Sequence, residues 1–231
     1  MRIRNVTLCA AHPEELRKFY STIMELPIKD VRQDGFVVQV GLSNLTFERA
    51  ADSRENPFYH YAIDISNNKL EEAIHWLGDR GVRLNELPNA STSYYSRSWD
   101  STSIYFYDQA GNILEFIARH GLDHAAEAKG SFRSTDMLRI SEIGLVVPHV
   151  PSARDMLRAT FSLDPYKEYD DKFSAVGDAH GLLILSEHRR IWLGSNRSAE
   201  IYKTEVEFEC AEEREYVYDD LPYRISSVRS T

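Results

Sequence analysis

Two residues in this sequence occupy places where an ionisable side chain needs a partner. Glu115 lies in the segment 113–118, Ile-Leu-Glu-Phe-Ile-Ala. Its alternation puts Ile113, Glu115 and Ile117 on one face of a strand and Leu114 and Phe116 on the other. A carboxylate in the middle of an apolar strand is costly unless a cation, a donor or water meets it. His60 stands in a similar segment, 59–65, Tyr-His-Tyr-Ala-Ile-Asp-Ile. An imidazole and a carboxylate on partner strands could hold a metal, exchange a proton as base and acid, or satisfy each other as a buried polar pair. Glu115 is the candidate catalytic group.

A third feature is a long polar segment, 88–102, carrying Tyr94, Tyr95 and Trp99 and leading into a strand with Tyr105. A loop of this length is a functional lid or a mobile insert. Its rings could close over an apolar or aromatic ligand, which makes Tyr94, Tyr95, Trp99 and Tyr105 candidate substrate-binding residues, or they could anchor the loop. Asp64 shares the parity of His60 and is expected near the rim, in water. The remaining histidines have no paired spacing and read as surface residues. There is no Gly-rich phosphate loop, no His-Glu-x-x-His and no Ser/His/Asp set.

The elements that must position these residues recur. Residues 3–10 read as a strand, and 13–26 as a helix with Pro13 at its start, Glu14 and Glu15 in its first turn and Pro27 as its stop. Strands are predicted at 28–31, 36–40 and 45–48. The pattern returns as strand 59–65, helix 69–78 and strands 82–86, 103–107 and 113–118, the last two joined by the turn Asp-Gln-Ala-Gly-Asn. Residues 121–137 read as a linker, helical in part at 125–129. A third copy follows as strand 138–147, helix 152–161 and strands 173–176 and 182–186. A fourth opens with the alternating strand 201–210 and is unfinished, with a short helix expected at 211–215 and no assignment for 216–231. Taking Asn5, His60 and Glu142 as equivalent first-strand points, the equivalent last-strand points are Thr46, Glu115 and Ile184.

The chain has 231 residues, 42% of them hydrophobic, and a net charge of −9. That balance excludes a basic footprint for nucleic acid or an anionic membrane. Cys9 and Cys210 are too few and too far apart for a disulfide framework and are expected to act as small core residues. No apolar run reaches the roughly 20 residues of a membrane span, and the strand-like start leaves no room for a signal peptide, so a cytoplasmic protein is expected.

The β-α-β-β-β repeat, the His in Phe-Tyr-His-Tyr-Ala-Ile-Asp-Ile and the Glu in Asp-Gln-Ala-Gly-Asn-Ile-Leu-Glu-Phe resemble the vicinal oxygen chelate superfamily. Its members include glyoxalase I, extradiol dioxygenases and bleomycin-resistance proteins. The resemblance implies an α+β fold in which tandem βαβββ modules form a cupped, incomplete barrel. Modules 1 and 2 (1–120) are expected to pair, followed by the linker 121–137 and by module 3 with an incomplete module 4 (138–231). It also implies a divalent metal (Zn, Ni, Mn or Fe) held by His60 and Glu115, with Asn5 or Glu48 completing the set because Thr46 replaces a ligand. The third copy, with Glu142 and Ile184 at its ligand points, is not expected to hold a second metal. The implied activity is a glyoxalase-like lyase or isomerase acting on a small substrate. Alternatives are a metal-free binding protein of the bleomycin-resistance kind and a dioxygenase relative that has lost its full site, since only one His is in register. A homodimer is expected.

Overall fold

The repeated alternation becomes two seven-stranded sheets in the computed structural model, which describes residues 1–52, 55–122 and 130–229. The first module contributes β1 (Arg2–Ala10), α1 (Pro13–Lys18), β2 (Ile28–Arg32), β3 (Gly35–Val40) and β4 (Ser43–Arg49). The second contributes β5 (His60–Ile65), α2 (Leu70–Asp79), β6 (Ser93–Ser96), β7 (Ser101–Tyr107) and β8 (Ile113–Arg119). The third holds β9 (Met137–Val147), α3 (Val150–Phe161), β10 (Phe173–Asp178) and β11 (Gly181–Glu187). The fourth is three strands without a helix, β12 (Thr204–Cys210), β13 (Arg214–Val217) and β14 (Tyr223–Arg229).

The modules do not pair in the order in which they are written. The first sheet runs β13-β14-β12-β1-β4-β3-β2 and the second β10-β11-β9-β5-β8-β7-β6. Module 1 therefore joins module 4 through antiparallel β1 and β12, and module 2 joins module 3 through antiparallel β5 and β9. The expected cup of modules 1 and 2 is corrected by this hydrogen bonding. Chain adjacency carries no information about which first strands meet.

Several local expectations are also revised. Residues 82–86 hold only a bridge from Leu84 to Phe106, while β6 forms inside the expected loop. Residues 211–215 form no helix, and strand β13 starts within them at Arg214. The expected helical stretch at 125–129 lies outside the described residues. Cys9 and Cys210 are unpaired but half-buried rather than in the core. The first helix widens after Lys18 into a π-helical turn, Phe19–Ile23, with Met24 N donating to Phe19 O at 3.0 Å. The wide turn buries Phe19 and Tyr20 together, and the Tyr20 hydroxyl reaches Tyr61 and donates to Asp108 at 2.8 Å.

That last contact anchors the turn 108–112, which positions the site. Asp108 Oδ1 accepts from the amides of Ala110 and Asn112 at 2.9 and 3.0 Å, an Asx-type closure. Gly111 sits at φ +78°, where a Cβ would strain the backbone. Asn112 Oδ1 then accepts from the Tyr59 amide at 2.9 Å. The turn thus clamps the start of β8 to the start of β5, placing Ile113 opposite His60.

One large core lies between the sheets and under the helices, and includes Val6, Leu8, Tyr61, Ile63, Phe116, Ile143 and Leu145. The two sheets are tied directly, since Ser43 Oγ accepts from the Ile140 amide at 3.1 Å. A smaller apolar cluster, including Tyr105, Ile113, Ile184 and Trp192, fills part of the opposite, concave face of the second sheet. No described helix is long and apolar enough to cross a membrane.

Candidate metal centre

On the concave face of the second sheet, strand register assembles a group that chain order does not suggest. Ala62 of β5 is flanked by Glu115 on β8 and by Glu142 on β9. Its small side chain leaves the space between two carboxylates open, and His60, two residues back, projects from the same face. One ligand atom from each of His60, Glu115 and Glu142 lies within 4.8 Å of the others, and all three residues are buried. Ile184, at the equivalent point of β11, supplies no ligand but lines the same cavity.

The imidazole is held in a defined orientation. Its Nδ1 lies 3.2 Å from the Ile113 carbonyl, which accepts the Nδ1–H and leaves the Nε2 lone pair facing Glu115 Oε2 at 3.5 Å. Burial pushes the His60 pKa down to about 4, so the ring is neutral at pH 7. Burial and then the neighbouring charge of Glu142 push Glu115 up to about 8, against hydrogen bonds from Ser103 and Tyr105. Burial also raises Glu142, opposed by Arg119.

Below this group runs a buried row of charges. Arg119 pairs with Glu142 and donates from Nε to Asp64 Oδ1 at 3.2 Å. Arg139 Nε lies 3.3 Å from Asp64 Oδ2. Asp64, expected at a wet rim, is instead the buried bridge between two arginines, and burial raises its pKa despite them. Two arginines against three carboxylates leave the floor of the cup neutral while Glu115 keeps its proton.

The walls are aromatic. The cavity encloses about 380 Å³. His60 packs 5.0 Å from the Trp192 ring and 6.4 Å from Tyr105. Trp192 fits because β9 carries Gly144 beneath it; a Cβ there would stand 2.7 Å from the indole. Tyr94, Trp99 and Tyr105 line the cavity as the sequence suggests. Tyr95 does not. Adjacent on β6, it points to the other face, is 59% exposed and lies 6.2 Å from His120.

Asn5 and Glu48 are not brought to the site. Both lie on the first sheet, where Asn5 donates to Glu207 and accepts from Asn44 at 2.9 Å, and Glu48 accepts from Lys203 at 3.1 Å. Their assignment as metal ligands is corrected by the module pairing. The candidate ligand that the sequence did not single out is Glu142. It carries the same signal as Glu115, an acid inside an apolar strand, at the register point already matched to His60. Arg119, Arg190 and Trp192 were also missed, the last two in a loop without periodicity.

One imidazole and two carboxylates facing a single cavity form a donor set suited to a divalent cation. The Nδ1–H bond to a carbonyl is the arrangement that orients a ligating histidine.

No family model and no curated protein matches the sequence. Solved structures match the fold across the whole chain. A putative dioxygenase from Bacillus subtilis aligns at 13% identity and TM-score 0.65, over 98% of this chain and 85% of that one. A point mutant of glyoxalase I from Zea mays aligns at 10% identity and TM-score 0.62, over 99% of this chain and 92% of that one. A different point mutant of the same enzyme aligns at 11% identity and TM-score 0.59, over 98% and 93%.

Proposed function

Taking the cupped-sheet fold of the vicinal oxygen chelate superfamily as the premise, we propose that the second sheet carries a metal-dependent active site for a small substrate with two adjacent oxygens. The carrying observation is the buried convergence of His60, Glu115 and Glu142 within 4.8 Å, with the His60 Nε2 lone pair facing inward. Those three residues would hold a divalent ion, which supplies Lewis acidity for oxygens on which charge develops. The chain's own residues do the rest. Tyr105 and Trp192 flank the reacting end and exclude water, while Trp99 and Tyr94 close the far side. Ser103 and Tyr105 hydroxyls orient Glu115, whose carboxyl keeps its proton until a cation replaces it. A glyoxalase-like lyase or isomerase fits this donor set better than ring cleavage with iron, which calls for two histidines and one carboxylate.

A metal-free binding protein on the same scaffold is the second reading. It is favoured by Arg119, which already supplies Glu142 with a buried cation, and by the proton on Glu115.

Calorimetric titration of chelator-treated protein with Zn²⁺, Ni²⁺, Mn²⁺ and Fe²⁺ separates the two. The metal reading expects about one site per chain for at least one ion, weakened at least about 100-fold in both His60→Ala and Glu142→Ala. Binding of none of the four ions would leave the sequestration reading.

A further inference from the structure

The loop that follows β11 crosses the cup and is braced at several points. Arg189 N donates to Ala199 O, and Ala199 N to Arg190 O, both at 2.8 Å. Asn85 Nδ2 donates to Gly194 O, and Arg197 Nη1 to Gly111 O, both at 2.7 Å. Alternation along this braced strip turns Arg190 and Trp192 into the cavity and leaves Ile191 51% exposed.

The Arg190 guanidinium lies 4.9 Å from the centroid of Phe173 and is half-buried in the wall. Among the described residues it makes no ion pair. His60, Glu168 and Asp170 line the same cavity, and the Asp170 charge acts on the guanidinium. His60 is neutral, Glu168 stands at the rim, and Asp170 is engaged through Oδ1 by the amides of Lys172 and Phe173 at 2.7 and 2.8 Å. Arg119, by contrast, is consumed by Asp64 and Glu142. Arg190 is thus the cationic side chain of the cup that, among the described residues, no carboxylate meets at ion-pair distance, although the Asp170 charge acts on it through space.

Here the inference rests on the metal reading. The Arg190 guanidinium is held partly out of water in the cavity wall with no carboxylate at ion-pair distance, so a substrate held at His60, Glu115 and Glu142 gains a charge-assisted bond by bringing a second anionic group to it. A guanidinium stacked on an aromatic face offers a planar edge that matches a carboxylate. A phosphate dianion would meet Glu168 and Asp170 at the same rim. The same cavity is lined by Trp99, Tyr105 and Trp192, whose rings suit a planar body.

We propose that Arg190 receives a carboxylate on a planar, single-ring or conjugated substrate whose two adjacent oxygens reach His60, Glu115 and Glu142.

The test uses benzohydroxamate, a redox-inert ligand with two adjacent oxygens on a ring, together with its 3- and 4-carboxylate and its 3- and 4-carboxamide. Each is titrated calorimetrically into Zn²⁺-loaded protein and into chelator-treated protein. We expect one of the carboxylates to bind at least about tenfold tighter than its carboxamide, the worth of one charge-assisted pair. Arg190→Gln should bring that ratio to near one, and Arg190→Lys should keep part of the preference. A wild-type ratio near one at both positions, or a preference that survives Arg190→Gln, overturns the proposal. Benzohydroxamate binding that needs no metal and survives His60→Ala would overturn the metal reading separately. In that event the Arg190 preference is read from 4-methylbenzoate against 4-methylbenzamide in wild type and Arg190→Gln, with the same two outcomes deciding it.

Discussion

The two sheets are built from the same kind of module and differ in what their concave faces carry. In the second sheet, β5 and β8 are buried on both faces, and the concave side holds Asp64, Glu115, Arg119 and Glu142 almost out of water. In the first, β1 and β4 alternate between buried and partly exposed residues, and the concave side carries Asn5, Thr7, Thr46 and Glu48. Charges there pair at the surface, as Lys203 does with Glu48 and Glu205 at 3.1 and 3.2 Å. Enclosure is the difference. The concave face of the second sheet is lined by the loops that carry Trp99, Tyr169 and Trp192, and burial there raises the pKa of a carboxyl group. Glu48 on the open sheet keeps 41% of its side chain in solvent.

The largest effect should separate the buried pair from the exposed one. Arg119→Met strands Glu142 without its cation, leaves Asp64 with Arg139 alone, and is expected to cost about 3–5 kcal/mol in urea unfolding. Lys203→Met on the open sheet should cost no more than about 1 kcal/mol. Equal costs would show that enclosure does not distinguish the two faces.

The pH dependence of stability sharpens the contrast. Glu115 titrates near 8 in the folded protein against 4.5 ordinarily, so the folded state holds a proton that the unfolded chain releases, and stability falls between pH 4.5 and 8. His60 runs the other way. Its folded value of about 4 against 6.5 means the unfolded chain takes up the proton, so stability rises between pH 4 and 6.5. The two oppose each other up to pH 6.5, and above that Glu115 acts alone. The metal-free protein should lose about 1–2 kcal/mol between pH 6.5 and 8, and Glu115→Gln should abolish that loss. A urea midpoint that is flat over this interval in wild type would refute the enclosed-acid description.

The smallest effect is an expected absence. Asn5→Ala and Glu48→Ala, on the open sheet, should leave the affinity for any bound divalent ion within about twofold, far from the loss expected on removing a ligand. A loss comparable to that of His60→Ala would return the first sheet to the site.

How much of this was legible depends on which physical signal reaches the sequence. His60 and Glu115 stand out because a polar side chain in an apolar strand violates the local pattern. The parallel pairing of β5 with β8 follows from the repeat and the turn at 108–112. Glu142 shows the same local signal, yet its meaning depends on β9 lying beside β5, and strand neighbours from different modules leave no periodic trace. The same gap sent Asn5 and Glu48 to the wrong cup. Tyr94 and Tyr95 could not be told apart because a short strand hidden in a polar loop gives no parity to read. Arg190 and Trp192 depend on a loop fixed by backbone bonds to distant residues, such as Asn85 to Gly194.

The nesting of modules 2 and 3 inside 1 and 4 also sets a timetable for a chain emerging from the ribosome. Every strand of the second sheet has been made by Glu187, at the end of β11. β1, although made before every strand of the second sheet, waits for β12, because Arg2 lies opposite Glu209. At roughly 5–20 residues per second, the cup with His60, Glu115 and Glu142 can close while one edge of β1 is still open. An unpaired edge of this kind is a template for strands of other chains. Strand β1, made before the whole of the second sheet, therefore needs shielding until β12 has emerged.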